Sequence, residues 1–343
     1  MKLLILVAFV ASAFAVPALE MFEDTERYYD PEEENPYRIR YIYQEAENGS
    51  LQLVDLFEVD EAAPRATIND VTFHLFTQRN PNQAQIVPGN NFNALANTNF
   101  NPSLPIKFII HGWNNNAGSQ VNSAIRPAIL NNNNVNVFVV DWSRPANQMY
   151  TTARSAVPVV GGFVGDFINR IRSTHNVPLN RIQLVGHSLG AHVAGCAGAR
   201  VNGLVHSIVG LDPAGPLFTV GNIDNRIDPT DAAFVQIIHT NHGLLGFGTS
   251  SGHADYRPNG GRSQPGCGID LAGSCAHSRA HAFFAESVRT GRFISWRCDS
   301  MNDLNNNRCT GNHRSFMGQF EVDRTARGDY FLATNNNAPF ARG

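Results

Sequence analysis

The feature that most constrains this chain is a series of short apolar, β-branched runs that alternate with helical stretches. Each run has the length and composition of a strand buried on both faces of a sheet. The runs are Ile106–Ile110, Val135–Val140, Ile182–Val185, Ile208–Leu211 and Phe234–Ile238. The helical stretches are Gln120–Leu130, Thr151–Ser173, Ala191–Val201 and Ala280–Arg289. This alternation predicts an α/β fold with a mostly parallel central sheet and helices on both faces.

The distribution of charge divides the chain into an N-terminal segment and a larger body. Residues 1–65 carry 5 Lys or Arg and 14 Asp or Glu, a net charge of −9, whereas residues 66–343 carry 21 and 15, a net charge of +6. We expect residues 16–65 to be an acidic leader or prosegment, loosely ordered or draped over the basic body, with Arg65 as a processing site. A plain acidic tail is the alternative. Residues 66–343 are long enough to form one domain with a large core.

The first fifteen residues predict the compartment. Lys2 precedes the apolar run Leu3–Val10, and small residues close the segment at Ala13–Ala15. A charged start, a short apolar stretch and an A-x-A site are typical of a secretory signal peptide. The run is too short to span a bilayer. We therefore expect residues 1–15 to be removed and the protein to be secreted into the extracellular space.

The five cysteines fit an oxidising compartment. Cys267 and Cys275 enclose only seven residues. Cys298 and Cys309 enclose ten, so we predict two disulfides between nearest neighbours. Cys196 is then a free thiol, and its small-residue surroundings predict that it is buried and inert. No Cys/His cluster has the spacing of a zinc site, and the phosphate-loop pattern G-x-x-x-x-G-K-[ST] does not occur.

The strongest single motif is the pentapeptide G-H-S-L-G at Gly186–Gly190. It follows the strand Ile182–Val185 and opens a helix rich in Ala and Gly. In a nucleophile elbow, glycines two positions before and after a serine let strand and helix approach closely, and the strained turn exposes the serine hydroxyl. The pentapeptide alone is only suggestive, but this context makes it specific. We predict that Ser188 is a catalytic nucleophile.

A serine nucleophile needs a base that takes its proton, and the base needs an acid that orients it. Asp212 directly follows the strand Ile208–Leu211, at the sheet edge where α/β proteins place their chemistry. We predict that it is the acid. Asp141 also ends a strand, but it precedes the serine in the chain, and a structural role fits it better.

The candidates for the base are His239, His242, His253, His277 and His281. His277 follows Cys275 by two residues, so a disulfide would hold its loop and leave its ring accessible. His281 lies four residues further on in a helix, where a surface or packing role is expected. We therefore predict that His277 is the base.

The reaction also needs two backbone N–H groups that stabilise the developing oxyanion. Leu189, the residue after the serine, is predicted to supply one of them. The strand Ile106–Ile110 runs into the turn His111–Trp113, so the N–H of Trp113 is predicted to supply the other. The alternative role for Trp113 is that of a core aromatic at the mouth of a loop, and the two roles are compatible.

Four segments together resemble the pancreatic (neutral) lipase family, in its insect secreted branch. They are Phe108–Trp113, Gly186–Gly195, Gly210–Pro216 and Gly252–Gly261. The resemblance implies an α/β-hydrolase fold and a catalytic triad of Ser188, Asp212 and His277. It also supports Trp113 and Leu189 as the oxyanion pair.

Departures from the family pattern bear on the substrate. Full-length pancreatic lipases carry a C-terminal β-sandwich that binds colipase, and the chain ends too soon for one, so no colipase partner is expected. Their lid is long, whereas the corresponding segment Gly268–Ser274 has seven residues, and the loop Asn241–Ser251 is also short. Members with both loops short resemble phospholipases A1. We therefore expect hydrolysis of phospholipid at a membrane or micelle surface, with triacylglycerol as the alternative substrate and no nucleic acid partner.

A different class of function is a non-catalytic lipid-binding or storage protein, because insect yolk proteins share this fold. Those relatives lack an intact triad, which favours an enzyme here.

The calcium site of the family is partly present. Arg226, through its backbone carbonyl, Asp228 and Asp231 match its ligands, whereas Ile223 replaces an acidic residue. The alternative is an ordinary Asp-Pro turn. We expect that the reaction requires no cofactor and treat a structural calcium ion as an open prediction.

Overall fold

The structure, a computed structural model, describes residues 39–45 and 50–343. In these ranges the strands are β1 Tyr41–Glu45, β2 Leu51–Asp55, β3 Thr72–Phe76, β4 Gln85–Pro88, β5 Ile106–Ile110, β6 Asn136–Asp141, β7 Ile182–His187, β8 Ser207–Leu211, β9 Val235–Ile238, β10 Ala254–Pro258, β11 Ile294–Arg297, β12 Arg314–Phe316 and β13 Gly328–Leu332. The α-helices are α1 Gln120–Leu130, α2 Ser143–Ala146, α3 Tyr150–His175, α4 Leu189–Arg200, α5 Ser274–Thr290 and α6 Met301–Asn305. The predicted signal peptide, residues 1–15, lies outside the described residues.

Eleven of these strands form one sheet in the order β12-β11-β13-β10-β9-β8-β7-β5-β6-β3-β4. The seven strands from β13 to β6 run parallel. Antiparallel strands extend both edges, β11 and β12 at one and β3 and β4 at the other. The predicted α/β-hydrolase class, with a mostly parallel sheet, is confirmed. Because β7 lies in the interior of the parallel part, its carboxyl end places Ser188 near the middle of the sheet edge.

Two buried cores lie on opposite faces of the sheet, because successive side chains of a strand point to opposite faces. In β5, Ile106, Phe108 and Ile110 belong to one core and Ile109 belongs to the other. Helices α3 and α4 cover the first face, and α1 and α5 cover the second. The sequence prediction of helices on both faces is therefore confirmed.

The predicted elements agree with the structure to within two residues at each end, except at α5. This helix begins at Ser274 rather than at Ala280. Its first turn is held by Asp270, whose carboxylate accepts hydrogen bonds from the N–H groups of Cys275 (3.3 Å) and Ala276 (2.7 Å). The prediction that His277 lies in a loop was therefore wrong, because the cap comes from a side chain four residues before the helix.

Both predicted disulfides, Cys267–Cys275 and Cys298–Cys309, are present in the structure. Cys196 is a buried free thiol, and burial raises its pKa to about 12. A thiol with so high a pKa carries almost no thiolate at neutral pH and is unreactive. Within the described ranges, no helix combines the length and apolar character needed to cross a bilayer.

Part of the predicted leader forms a hairpin in which β1 and β2 pair antiparallel. Ile42 and Leu56 are buried in the core that α3 and α4 cover. The hydroxyl of Thr151, near the start of α3, donates a hydrogen bond to the carbonyl of Glu58. Residues 57–65 are almost all exposed, Arg65 included. The hairpin thus packs on the domain, while the boundary at residue 65 and processing at Arg65 stay predictions.

Candidate active site

Ser188 occupies the turn between β7 and α4 with a φ of +59° and a ψ of −127°. A non-glycine residue held in such a conformation stores about 1–3 kcal/mol of strain. The surrounding backbone leaves no room for side chains: a Cβ on Gly186 would lie 2.1 Å from the carbonyl oxygen of Gly190, and one on Gly190 would lie 2.3 Å from that of His111. The N–H of Ser188 donates to the carbonyl of Leu211 on β8 at 3.1 Å. These contacts hold the serine in the elbow geometry.

Asp212 follows β8 and is fully buried. Its Oδ2 atom accepts a hydrogen bond of 2.5 Å from Nδ1 of His277. Its Oδ1 atom accepts hydrogen bonds from the backbone N–H groups of Thr240 (2.7 Å) and Asn241 (3.0 Å). Hydrogen bonds therefore fix both oxygens of the carboxylate. Because the ring proton of His277 lies on Nδ1, its Nε2 atom is unprotonated and can accept a proton.

His187, inside the pentapeptide, supports His277 in a way that the sequence did not reveal. Its Nε2–H donates to the carbonyl of His277 at 3.1 Å, and the two ring centroids are 4.5 Å apart. Burial, reinforced by the nearby His277 and His281, lowers the pKa of His187 well below its usual value. His187 is therefore neutral and can serve as a hydrogen-bond donor without adding charge beside the base.

The other histidine candidates have different partners. His239 lies 2.8 Å from Asp255, and His253 accepts a hydrogen bond from the N–H of Val235. His242 donates to a backbone carbonyl. His281 also lines the cleft, but its ring packs edge-on against His187 with centroids 5.2 Å apart. Among the five candidates, only His277 contacts Asp212.

The loop after β5 lies directly against the nucleophile. A Cβ on Gly112 would be 2.7 Å from Cβ of Ser188 and 3.2 Å from its Oγ. Trp113 lines the cleft, and its indole N–H donates to the carbonyl of Gln148 at 2.8 Å. In the part of the chain that the structure describes, the backbone N–H groups of Trp113 and Leu189 have no acceptor. Both are therefore free to bind an oxyanion.

The end of β6 and the residues that follow it support the same loop. Nδ1 of His111 lies 2.9 Å from the carbonyl oxygen of Gly112, and its Nε2 lies 3.2 Å from the backbone nitrogen of Trp142. Oδ1 of Asp141 lies 3.4 Å from that Nε2 and accepts the N–H of Ser143 at 2.9 Å. Burial alone would raise the pKa of Asp141, but its contacts with His111 and Ser143 hold the pKa well below its usual range. These contacts agree with the structural role that the sequence analysis expected for Asp141.

Ser188 and His277 line one cleft with a volume of about 380 Å³. Most of the other lining side chains are apolar or small, among them Trp113, Tyr150, Val121, Ala214, Pro216, Leu245 and Ala272. Polar side chains, among them Asn114, Asn115 and Gln120, also line it, so the cleft offers apolar surface for an acyl chain and polar groups for its ester end.

The β1–β2 hairpin forms part of this cleft, which the sequence analysis missed. Its contribution consists of Ile42, Tyr43, Gln44 and Leu56. The acidic composition of the segment pointed to a loose leader. The signal that could have identified the strands was the two short runs 41–43 and 51–54, separated by seven residues that include Gly49.

The candidate calcium ligands lie in and just before a short 3-10 turn, Pro229–Asp231: Asp231 ends the turn, Asp228 caps it, and Arg226 precedes it by three residues. Asp228 Oδ1 accepts the N–H of Thr230, and Asp231 Oδ2 accepts the N–H of Asp228. Burial, with a smaller contribution from the charge of Asp228, raises the pKa of Asp231 to about 8. Among the described residues, the second oxygen of each carboxylate has no hydrogen-bond donor. Two buried carboxylates with one unused oxygen each fit a hard cation such as Ca²⁺, which stays a proposal.

Comparison with known proteins identifies the family. The chain is 33% identical over 303 residues to the inactive pancreatic lipase-related protein 1 of Canis lupus familiaris, covering 79% of this chain and 64% of that protein. It is 35% identical over 268 residues to the pancreatic triacylglycerol lipase of Myocastor coypus, covering 71% and 58%. The profile of the family described as Lipase matches residues 43–340. The chain belongs to the pancreatic lipase family.

This pancreatic lipase family member spans less than two thirds of the length of those relatives. The family match begins within β1, so it includes most of the hairpin. Among solved structures, a carboxylesterase from Mesorhizobium loti aligns over 52% of this chain and 76% of its own, with 15% identity and a TM-score of 0.32. The predicted family is confirmed, and its insect secreted branch stays a prediction.

Proposed function

We propose that the chain is a serine carboxylester hydrolase that cleaves acyl esters of lipids with Ser188, His277 and Asp212. The observation that carries the proposal is the hydrogen bond from His277 to Asp212 beside a cleft that Ser188 also lines. Family membership alone does not decide the matter, because one relative is named an inactive lipase-related protein. The elbow strain at Ser188 and the paired His277 favour a catalytic chain over a storage protein.

In the proposed reaction, Oγ of Ser188 attacks the carbonyl carbon of the ester while Nε2 of His277 takes the hydroxyl proton. Asp212 stabilises the resulting imidazolium. The N–H groups of Trp113 and Leu189 bind the negative oxygen of the tetrahedral intermediate. Collapse of the intermediate breaks the ester bond, and the leaving alcohol takes the proton from His277. Water, activated by the same imidazole, then hydrolyses the acyl-enzyme and restores the serine.

As the substrate class we propose phospholipid, in the manner of a phospholipase A1. The disulfide loop Gly268–Ser274 is short and contributes only Ala272 and Ser274 to the lining of the cleft, so the mouth has room for a bulky polar head group. Triacylglycerol is the second candidate, and the Myocastor coypus relative named pancreatic triacylglycerol lipase favours it. Secretion follows from the signal pattern of residues 1–15 and fits the two disulfides.

The test compares hydrolysis of phosphatidylcholine vesicles and triolein emulsions by the protein that starts at Val16. We expect phosphatidylcholine to be the better substrate. Ser188→Ala should lower the rate by at least about 10³-fold, as removal of a triad nucleophile does elsewhere. Ser123→Ala, an exposed serine on α1, is the matched control and should leave the rate unchanged.

Two results would contradict the proposal at different levels. A preference for triolein would replace the phospholipid assignment and leave the serine mechanism in place. Hydrolysis of neither lipid by a correctly folded protein, together with measurable lipid binding, would favour the non-catalytic lipid-binding alternative.

A further inference from the structure

The β1–β2 hairpin has an unusual distribution of apolar residues. Directly opposed residues of an antiparallel pair lie on the same face, so Tyr43 and Leu53 share one face, and Ile42 and Val54 share the other. The Ile42 face packs on the domain. On the opposite face, which points away from the core, Leu51 is 49% and Leu53 is 59% exposed. A soluble hairpin normally turns polar residues outward, so this face requires an explanation.

Exposed apolar side chains are concentrated in two segments that also contribute residues to the lining of the cleft. Of the twelve large apolar residues that are exposed in the described ranges, five lie between Tyr41 and Val59. Two more, Ile269 and Leu271, lie in the disulfide loop Gly268–Ser274. Scattered single residues would need no explanation, but a concentration of this kind marks an interaction surface. We call these seven residues the apolar rim.

Residues of the apolar rim are direct neighbours of residues that line the cleft. Tyr43 lies beside Leu53 on the hairpin and also lines the cleft that contains Ser188. On the other side, Ala272 lines the same cleft and follows Leu271 directly. A surface that binds the rim would therefore contact the same two segments that help to line the cleft of Ser188.

The charges near the rim indicate what kind of surface it binds. The guanidinium of Arg40 pairs with Asp55 at 2.8 Å, which neutralises the base of the hairpin. The next charges along the chain, Glu58, Asp60 and Glu61, are exposed and acidic. Acidic side chains repel an anionic membrane, and apolar side chains gain free energy by entering the acyl region. The partner that fits is a zwitterionic lipid surface.

We propose that the apolar rim, and the outward face of the β1–β2 hairpin in particular, is the surface with which the protein docks on zwitterionic phospholipid. The inference deepens the proposed function and rests on it, because docking places the open cleft against the lipid. The hairpin lies in the segment whose composition predicts an acidic leader. In this proposal it holds the cleft at the lipid interface.

The test uses the Ser188→Ala protein, so that the vesicles are not consumed, and measures its partition onto phosphatidylcholine vesicles by co-sedimentation. The double variant Leu51→Ser/Leu53→Ser removes the centre of the outward face. The matched control is Ile86→Ser/Leu204→Ser, whose side chains are 54% and 53% exposed and lie outside the cleft. We expect the partition coefficient of the hairpin variant to fall at least about tenfold, since burial of one leucine is worth about that factor. The control should stay within about twofold of the parent.

Circular dichroism verifies that each variant is folded, and sedimentation velocity reports self-association. Equal partition of the hairpin variant and the control would overturn the proposal. So would stronger binding of the parent to phosphatidylserine-rich vesicles, or a parent dimer that the hairpin variant loses while its lipid binding persists. Hydrolysis of a soluble short-chain ester, measured separately with Ser188 in place, tests the proposed catalytic function and is independent of docking.

Discussion

Nδ1 of His277 donates a hydrogen bond of 2.5 Å to Oδ2 of Asp212, a residue 65 positions earlier in the chain. His277 belongs to the first turn of α5, whereas Asp212 follows the central strand β8. A third segment encloses the pair, because a Cβ on Gly246 would lie 2.6 Å from the carboxylate. The contact therefore depends on the packing of segments that are distant in the chain. Small changes in any of them should change the rate of the reaction.

Asp212→Asn should abolish most of the activity without a large change of shape. The side-chain amide can donate a hydrogen bond to Nδ1, so His277 would hold its own proton on Nε2, which then cannot accept the proton of Ser188. We expect kcat on a soluble ester to fall by about 10⁴-fold, as for the same change in other triads. The double variant Ser188→Ala/Asp212→Asn should be no slower than Ser188→Ala alone, because triad residues act as a unit.

Asp255→Asn is the control for this variant. Asp255 is also a buried carboxylate that contacts a histidine, His239, at 2.8 Å, but neither residue lines the cleft. We expect it to lower the melting temperature and to leave kcat within about threefold of the wild type. If both variants lost the same activity, the Asp212–His277 contact would have no specific catalytic role.

Gly112→Ala should impair the oxyanion loop by contact with the nucleophile. The added Cβ would meet Cβ of Ser188 at 2.7 Å, and that distance is too short to be absorbed without a shift of the loop. A displacement of about 1 Å at the donors of an oxyanion costs on the order of 10²-fold in rate. We expect kcat to fall by about that factor, with a smaller change in the melting temperature.

Gly162→Ala separates this effect from a general effect of replacing glycine. Gly162 lies within α3, and an added Cβ there would meet no atom within 4 Å. Alanine is the better helix former by roughly 1 kcal/mol, so this variant should be more stable and fully active. A loss of activity in Gly162→Ala that matched the loss in Gly112→Ala would contradict the local explanation.

The parallel sheet could be predicted from the sequence because each of its central strands is recognisable from its own apolar residues. Each strand from β5 to β9 is an apolar run that is buried on both faces, and Ser188 and Asp212 follow strand ends directly. The start of α5 could not be predicted in the same way. Its first turn is capped by Asp270 from within the disulfide loop, so the residues of the helix itself carry little sign of where it begins.

The role of the hairpin was missed for a different reason. Its strands are five residues each, and their acidic surroundings dominate the composition of the segment. Only tertiary contacts, such as the burial of Ile42 and Leu56, show that the segment belongs to the domain. Support of His277 by His187 was equally invisible, since the sequence does not indicate that a helix 90 residues later brings its carbonyl to this ring.

Buried histidines predict that the protein loses stability in acid. Burial, with a smaller effect of His277, lowers the pKa of His281 to about 4, whereas an unfolded histidine titrates near 6.5. Between these two values the unfolded chain binds more protons, so the free energy of unfolding falls as the pH decreases through this window. For His281 alone, the loss between pH 7 and pH 4 is on the order of 3 kcal/mol.

His281→Phe tests this linkage, because phenylalanine keeps a ring against His187 and cannot be protonated. The melting temperature of the variant should decrease less than that of the wild type between pH 7 and pH 4.5, measured by circular dichroism. His175→Phe is the control, because this histidine at the end of α3 is partly exposed, whereas His281 is buried. Parallel decreases in the wild type and His281→Phe would show that His281 contributes nothing to acid sensitivity.

Calcium should stabilise the fold through the turn that follows Arg226. Asp228 and Asp231 are 5% and 3% exposed, and a cation shared by their carboxylates would replace the proton that the raised pKa of Asp231 keeps on this carboxyl at neutral pH. An ion that binds only the folded chain stabilises it by about 2.7 kcal/mol at a hundred times its Kd. We therefore expect millimolar Ca²⁺ to raise the melting temperature by several degrees, and chelation to reverse the rise.

The substitution Asp228→Asn should remove the response to Ca²⁺, whereas Asp224→Asn, an exposed neighbour on the same loop, should keep it. Mg²⁺ is a second control, because it is smaller and demands a stricter octahedral arrangement of ligands, so it should stabilise less. None of these residues lines the cleft, and no step of the proposed reaction uses the ion. Hydrolysis of a soluble ester well below the melting temperature should therefore be the same with Ca²⁺ and with chelator. If Ca²⁺ leaves the melting temperature of the wild type unchanged, the pair is an ordinary Asp-Pro turn whose carboxylates only cap the backbone.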